Sequence, residues 1–303
     1  VDIPSKKKQR HIKNTRKDKV FDIVNYGLAG LFLLIIIYPL WFIVIASFSD
    51  PSAVSGGRVW LWPQGFTLDG YRAVLEHERI WVGYRNTIWY TFTGTLIGLA
   101  VNIPAAYVLS RKDLVFRKFL TWMFLIVMFF SGGLIPTYLT IRDLGLLNHW
   151  LVLVLPFSVS IFHVVVARTF FQTSLPSDLW DAASIDGCGN LRFFFTIAVP
   201  LSKAIIAVIA LWTAVHHWNS YFNALIYITD VNLQPLQLIL RQILVGNELM
   251  MQQSTGEAAI IAIRRATIMR YSSIIVSTVP IMCFYPFIQK YFNQGVMIGA
   301  IKG

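Results

Sequence analysis

The sequence predicts an all-α membrane protein with six spanning helices and both termini in the cytoplasm. Three observations carry that prediction: an apolar composition, six apolar segments of spanning length, and a one-sided distribution of Lys and Arg. Of 303 residues, 56% are hydrophobic and 14% charged. That leaves too little polar surface to cover a soluble globule of this size, so a bilayer must act as solvent. Crossing the hydrocarbon takes roughly 20 apolar residues in a helix, the form that satisfies its own backbone hydrogen bonds.

The segments that meet this requirement are 24–46, 86–109, 119–139, 150–171, 201–222 and 272–292. The few charges inside them lie near their ends. Arg168, Lys203 and Lys290 can each extend a long side chain to the membrane surface, and Trp41, Trp150, Trp218 and Tyr291 fall where interfacial aromatic belts are expected.

Lys6, Lys7, Lys8, Arg10, Lys13, Arg16, Lys17 and Lys19 crowd the tail 1–23, and Arg111, Lys112, Arg117 and Lys118 fill the second connection. Short loops rich in Lys and Arg stay in the cytoplasm, which places both termini inside. The first outer loop, 47–85, balances four arginines with four acids. The net charge of +11 is explained by anionic lipid headgroups, and nucleic acid is not expected as a partner. The first apolar run is long enough to span and lacks a small-residue cleavage pattern, so no cleavable signal peptide is expected.

Several chemistries find no support in the sequence. Cys188 and Cys283 fall on a loop and in a span, and adjacent His216 and His217 project about 100° apart on a helix, a poor arrangement for one metal ion. With His163, these histidines read as packing or interfacial residues. No Gly-rich phosphate loop, spaced zinc ligands or nucleophile with a base is present, so no catalytic site, metal or cofactor is expected in this chain. The spans also lack the buried carboxylate and His chains of proton-coupled carriers. Energy for transport must then come from a partner.

The segment 175–200, LPSDLWDAASIDGCGNLRFFFTIAVP, is polar, acidic and broken by glycine between two apolar spans. Ser174 is expected to cap a helix with Pro176 in its first turn and Asp178 near its positive end, and Gly187 ends it. Gly189 and Asn190 then turn the chain into a second short helix, 191–195. Ala182 and Ala183 permit close approach of another backbone, and Asp181 and Asp186 offer carboxylates to a basic partner. These properties suit a docking helix and an ordinary amphipathic surface helix equally.

The spacing separates the two. Asp181, Ala182, Ala183, three residues, Gly187, nine residues, Ile197, one residue, Val199, Pro200 resembles the E-A-A loop of permease subunits in binding-protein-dependent ABC importers. Two positions depart from that pattern: Asp181 stands for the usual Glu and Val199 for the usual Leu. The stretches GGLIPTY (132–138), WNSYF (218–222) and YFNQGVMIGAIKG (291–303) resemble the carbohydrate branch, in particular permeases for oligosaccharides and polysaccharide fragments. Together the likeness covers nearly the whole chain after residue 20.

The resemblance implies a type I importer permease fold of one transmembrane domain, 24–292, with a cytoplasmic coupling loop, 172–200, and a cytoplasmic C-terminal tail, 293–303. It implies a multi-pass protein of the bacterial cytoplasmic (inner) membrane that forms half of a translocation pathway. Its implied partners are a second permease, two ATPase subunits that bind ATP and Mg, and an extracytoplasmic sugar-binding protein. Asp181, Ala182, Ala183, Asp186 and Gly187 would make or shape the ATPase contact, while Ile197 and Pro200 would anchor the loop to the fifth span. An ABC permease for another solute, a self-contained carrier and a membrane enzyme are the alternatives.

For sugar contact, Trp218, Asn219, Tyr221 and Asn223 combine aromatic faces with amide and hydroxyl groups. The same cluster also suits interfacial anchoring, the commoner use. The residues of the longest outer loop, 223–271, show only a long structured loop with a helical run near 238–245, and the resemblance implies that it meets the binding protein. Its Arg264, Arg265 and Arg270 could guide an acidic sugar, pair with the binding protein or bind phospholipid.

Overall fold

A computed structural model describes residues 15–253 and 255–300, without the side chains of residues 265, 284, 285 and 287–300. Lys6, Lys7, Lys8, Arg10 and Lys13, the side chain of Arg265 and the side chains of the 291–303 signature lie outside the described residues.

Residues 1–68 and 69–303 form two units. In the first, Thr15 caps α1 (Arg16–Ser47): its hydroxyl accepts from the Asp18 backbone N–H, while the Asp18 carboxylate accepts from the Thr15 backbone N–H at 2.7 Å. The hydrogen bonds from Thr15 hold the Asp18 carboxyl below its ordinary range. Along α1 apolar side chains such as Leu34 and Ile35 are exposed on every side, the pattern of a helix that lies in lipid. After α1, the Asp50 carboxylate caps α2 (Pro51–Ser55), and Ile45, Ala53 and Val59 close a small core.

The second unit opens with α3 (Asp69–Leu75) and the long α4 (Glu78–Ser110), which starts two turns before the expected span 86–109. Then come α5 (Arg117–Phe129), α6 (Leu134–Asp143), a 3-10 turn (Trp150–Leu153), α7 (Leu155–Ser158), α8 (Ile161–Ser174) and α9 (Ser177–Ile185). A continuous run follows: α10 (Asn190–Phe193), a π-helical turn (Phe194–Ala198) and α11 (Val199–Leu201). Last are α12 (Lys203–Trp218), α13 (Phe222–Tyr227), α14 (Leu236–Gln253) and α15 (Glu257–Ala300).

Two expected spans are broken. Within 119–139, α5 and α6 meet at 110° because Gly133 adopts φ +84° and Pro136 follows in the first turn of α6. Within 150–171, α7 and α8 are bent by 41° at Val159 and Ser160. The fully buried Asn102 of α4 repairs that break: its Nδ2 donates to the Ser158 carbonyl at 3.0 Å and its Oδ1 accepts from the Ser160 N–H at 3.1 Å. Irregular backbone inside an apolar layer is tolerated only where such partners exist.

The expected span 201–222 also differs. The run 190–201 meets α12 at 82° across buried Ser202, and α12 stops at Trp218 with the Asn219 amide donating to the Val215 carbonyl. The expected outer loop 223–271 is largely helical, because α14 fills 236–253 and α15 already begins at Glu257. Pro280 and Pro286 are both carried inside α15, whose helix continues without interruption past 292.

The core is organised around α4, which packs on α8, α12 and α14. Close contact with α12 requires glycine at 94, where a Cβ would lie 2.3 Å from the His217 Nε2. His217 is buried, with Nε2 3.2 Å from the Ser158 hydroxyl, so it is a packing residue of the α4–α12 contact. Farther toward the start of α4, Asn86, Thr87 and Tyr90 hydrogen-bond the backbone of 232–236, including the Leu236 N–H to the Thr87 hydroxyl at 2.8 Å. Those bonds satisfy the chain between α13 and α14, which holds only a 3-10 turn at Val231–Leu233.

Candidate functional site

The segment 175–200 folds as two short helical pieces clasped to the ends of α4 and α8. The expected Ser174 cap is replaced: Ser174 closes α8, and α9 begins after Pro176. The physical reason is local. A residue before proline avoids the helical region, and Leu175 is extended at φ −109°, ψ 100°, so the chain cannot enter a helix with Pro176 already inside it. Asp178 remains in the first turn of α9, where its charge complements the helix dipole.

Helical geometry then divides the expected docking residues between two faces. Ala183 is 9% exposed and packs in the core formed by Tyr107, Phe171, Phe193 and Ile205. On the same side Trp180 meets Phe193 edge to face at 5.1 Å. Asp178, Asp181, Ala182 and Ile185, spaced at one helical face, are exposed, and Ile185 reaches 86%. The exposed face of α9 thus sets an isoleucine beside two carboxylates.

Gly187 ends α9 in a Schellman motif. Its φ is +75°, its N–H donates to the Ser184 carbonyl at 3.1 Å, and the Cys188 N–H reaches back to the Ala183 carbonyl at 2.9 Å. Asp186 is the cap residue and is exposed. Ile197 is half-buried against the core that holds Ala183, whereas Pro200 is exposed just before the bend at Ser202. Pro200 lacks an N–H, and the helix widens into the π turn immediately ahead of it.

Sequence reasoning missed the clasp itself. The Arg111 guanidinium lies over the Trp180 ring, 3.7 Å from its centre, and donates from Nε and Nη2 to the two Asp113 carboxylate oxygens, both at 2.9 Å. Those hydrogen bonds hold the Asp113 carboxyl below the usual carboxylate range. A cleft of about 740 Å³, lined in part by Tyr107, Gln172, Trp180 and Asp181, opens beside this contact. Trp180 sits one residue before Asp181, and its position three residues ahead of Ala183 was the available signal.

The four residues expected to meet sugar do not form one surface. Trp218 is 3% exposed and its Nε1 donates to the Ser277 carbonyl at 2.9 Å. Asn219 is occupied in capping α12, Tyr221 is exposed beside the Arg241 guanidinium, and Asn223 is half-buried in the first turn of α13. Of the arginines expected in the outer loop, Arg270 pairs with Glu248 at 2.7 Å.

A helical, lipid-suited chain with an acidic helix clasped on one face and exposed on the other is a membrane protein by class. The chain belongs to the carbohydrate ABC transporter permeases. It is 36% identical over 287 residues to the polygalacturonan/rhamnogalacturonan transport system permease protein YtcP of Bacillus subtilis (strain 168), covering 95% of this chain and 100% of that protein. It is also 36% identical to protein LplC of the same organism, over 96% of this chain and 97% of the other. Among solved structures it resembles a chain of a bacterial ABC transporter involved in the import of the acidic polysaccharide alginate. That match has a TM-score of 0.81 and 31% identity, and covers 93% of this chain and 99% of that one. No family model matches the chain.

Proposed function

We propose that this chain is one of two permease subunits of an ATP-driven importer of oligosaccharides or polysaccharide fragments, acidic ones included. The observation that carries this reading is the end-to-end likeness to a polygalacturonan/rhamnogalacturonan permease, joined by the likeness to an alginate importer. The chain supplies half of the pathway through a bacterial cytoplasmic (inner) membrane. Two partner ATPases bind ATP and Mg and perform the hydrolysis, and an extracytoplasmic binding protein delivers the sugar.

Six spans support this role when each bent pair counts as one crossing alongside Arg16–Ser47, Glu78–Ser110 and Glu257–Cys283. The positive-inside bias of 16–19 and 111–118 favours cytoplasmic termini and a cytoplasmic 172–200 loop. In this reading 1–23 and 293–303 are cytoplasmic flanks of the 24–292 permease domain.

Closure of the ATPase dimer pushes on Asp181, Ala182 and Ile185. The clasp at Arg111 and Trp180, with Ala183, Gly187 and Ile197, passes that displacement to α4, α8 and α12, which exchange inward for outward exposure of the pathway. Trp218 contributes to this pathway by positioning α12 against α15, leaving Tyr221 and Asn223 as the groups available to a sugar.

The deciding experiment is uptake of labelled oligogalacturonate and of a neutral oligosaccharide by the reconstituted complex, with and without ATP and the binding protein. ATP-dependent uptake of the acidic oligomer is expected. Uptake by this chain alone without ATP would move the reading to a self-contained carrier.

A further inference from the structure

Outside the 175–200 loop, one cleft gathers positive charge without a carboxylate to balance it. It measures about 540 Å³ and lies between the 111–116 connection, the start of α5 and α8. Lys112, Arg117, Lys118 and Arg168 line it, and no acidic residue does. None of the four forms a salt bridge with a described residue, and the nearest acid in sequence, Asp113, is already held by Arg111. The Arg168 Nε is buried with no hydrogen-bond partner among the described residues.

The backbone adds to the same field. Phe116 takes a left-handed φ of 60° and gives α5 no side-chain cap, so the positive end of a helix of 13 residues opens beside Arg117 and Lys118. Apart from Thr121 the remaining wall is apolar: Leu114, Phe116 and Trp122 line the cleft, and Trp122 is 67% exposed. Four cations beside an exposed indole match an amphiphile with a negative head better than a free ion, which would leave the indole facing water.

We propose that this cleft binds an anionic phospholipid, with its phosphate among Lys112, Arg117, Lys118 and Arg168 and its glycerol and upper acyl chain along Leu114 and Trp122. The proposal rests on the membrane placement of α5 and α8 given above. A headgroup held there braces the α4–α5 connection, whose first residue is the Arg111 that grips Trp180. The membrane's anionic lipid content would thereby act on the stiffness of the coupling contact.

The test is native mass spectrometry of the full chain, extracted with its co-purifying subunits and titrated with phosphatidylglycerol, phosphatidylcholine or inorganic phosphate. Phosphatidylglycerol should bind preferentially, and Arg117→Gln with Lys118→Gln should weaken it roughly 30-fold, from about 1 kcal/mol per charge removed. Arg117→Lys, which keeps the charge, should retain binding and reports on folding. Equal binding of phosphatidylcholine, equal occupancy by inorganic phosphate, or an unchanged double variant would overturn the proposal. So would a photocrosslink from position 121 into a protein subunit instead of lipid. Because binding is read without transport, a chain that prefers phosphatidylglycerol yet imports no sugar counts against the importer reading alone.

Discussion

Arg111 and Trp180 stand 69 positions apart in the chain, yet the guanidinium of one covers the ring of the other at 3.7 Å. That contact ties the helix carrying Asp181 to the end of α4, the element on which α8, α12 and α14 all pack. A force applied to α9 is therefore delivered to the centre of the helical core.

Trp180→Ala should uncouple the transporter without preventing insertion. A cation–π contact of this kind contributes about 0.5–2 kcal/mol, and the edge-on packing against Phe193 is lost with it. Transport should fall several-fold at unchanged membrane abundance, with ATP hydrolysis no longer responding to the loaded binding protein. A double-mutant cycle with Arg111→Ala measures the coupling of the pair, and additive effects would show that the contact carries none.

The Arg111–Asp113 pair makes an acid-side prediction. Hydrogen bonds from Arg111 lower the Asp113 carboxyl in the folded protein. Its contribution is thus fully present above the unfolded carboxyl's ordinary pKa and disappears as pH falls through the lowered folded value. Thermal unfolding in detergent followed from neutral to acid pH should show a loss that Asp113→Asn reduces. An identical pH profile for the two proteins would refute the assignment.

Gly187 should tolerate replacement in proportion to backbone strain, since a Cβ there meets nothing within 4 Å. Gly187→Ala should cost about 1–2 kcal/mol through the left-handed conformation, Gly187→Asn less, and Gly187→Pro should abolish transport by removing the N–H that reaches Ser184. Paired Asp181→Lys and Asp186→Lys should abolish transport by a different route, through charge. Uptake is measured beside membrane abundance, so that a folding defect is recognised as such.

Asn102→Ala should destabilise the protein far from the coupling loop. The buried Ser158 carbonyl loses its partner at about 1–3 kcal/mol, and the half-buried Ser160 N–H loses its own at a smaller cost. A clear drop in the unfolding temperature in detergent is the expected result, and an unchanged value would mean that the α7–α8 break finds other partners.

Gly94→Ala should separate α4 from α12, because the new Cβ meets the His217 ring at 2.3 Å. Overpacking of this kind costs about 1–3 kcal/mol. His217→Ala in the same chain should recover part of that loss, whereas a histidine required for transport would leave the double variant stable and inactive.

Much of the loop was legible because its signals are local. Gly187 after a short helical pattern specifies a stop wherever the chain goes next, and its left-handed φ of +75° agrees. The start of α9 falls two residues later than the sequence suggests, since the rule that admits proline in a first turn competes with the restriction on the residue before it, and at Leu175 the restriction prevails. The broken helices escaped for a different reason. Apolar length identifies a crossing segment but says nothing of its straightness, so 119–139 and 150–171 read as single helices until Gly133 and Asn102 are seen in place. Trp218 sits where an interfacial or sugar-facing aromatic belongs in sequence, and only the path of α15 decides that it is buried against Ser277.

By itself the sequence determined the membrane class, the apolar segments, the bias of positive charge and the position of the acidic loop, because each follows from composition or from spacing within one turn or one bilayer thickness. The tertiary structure alone decided which face of α9 is free, that Arg111 and Asp113 secure it, and that Asn102 mends a break 56 residues away. Those relationships join side chains distant in sequence, and no periodicity records a contact until the helices have packed.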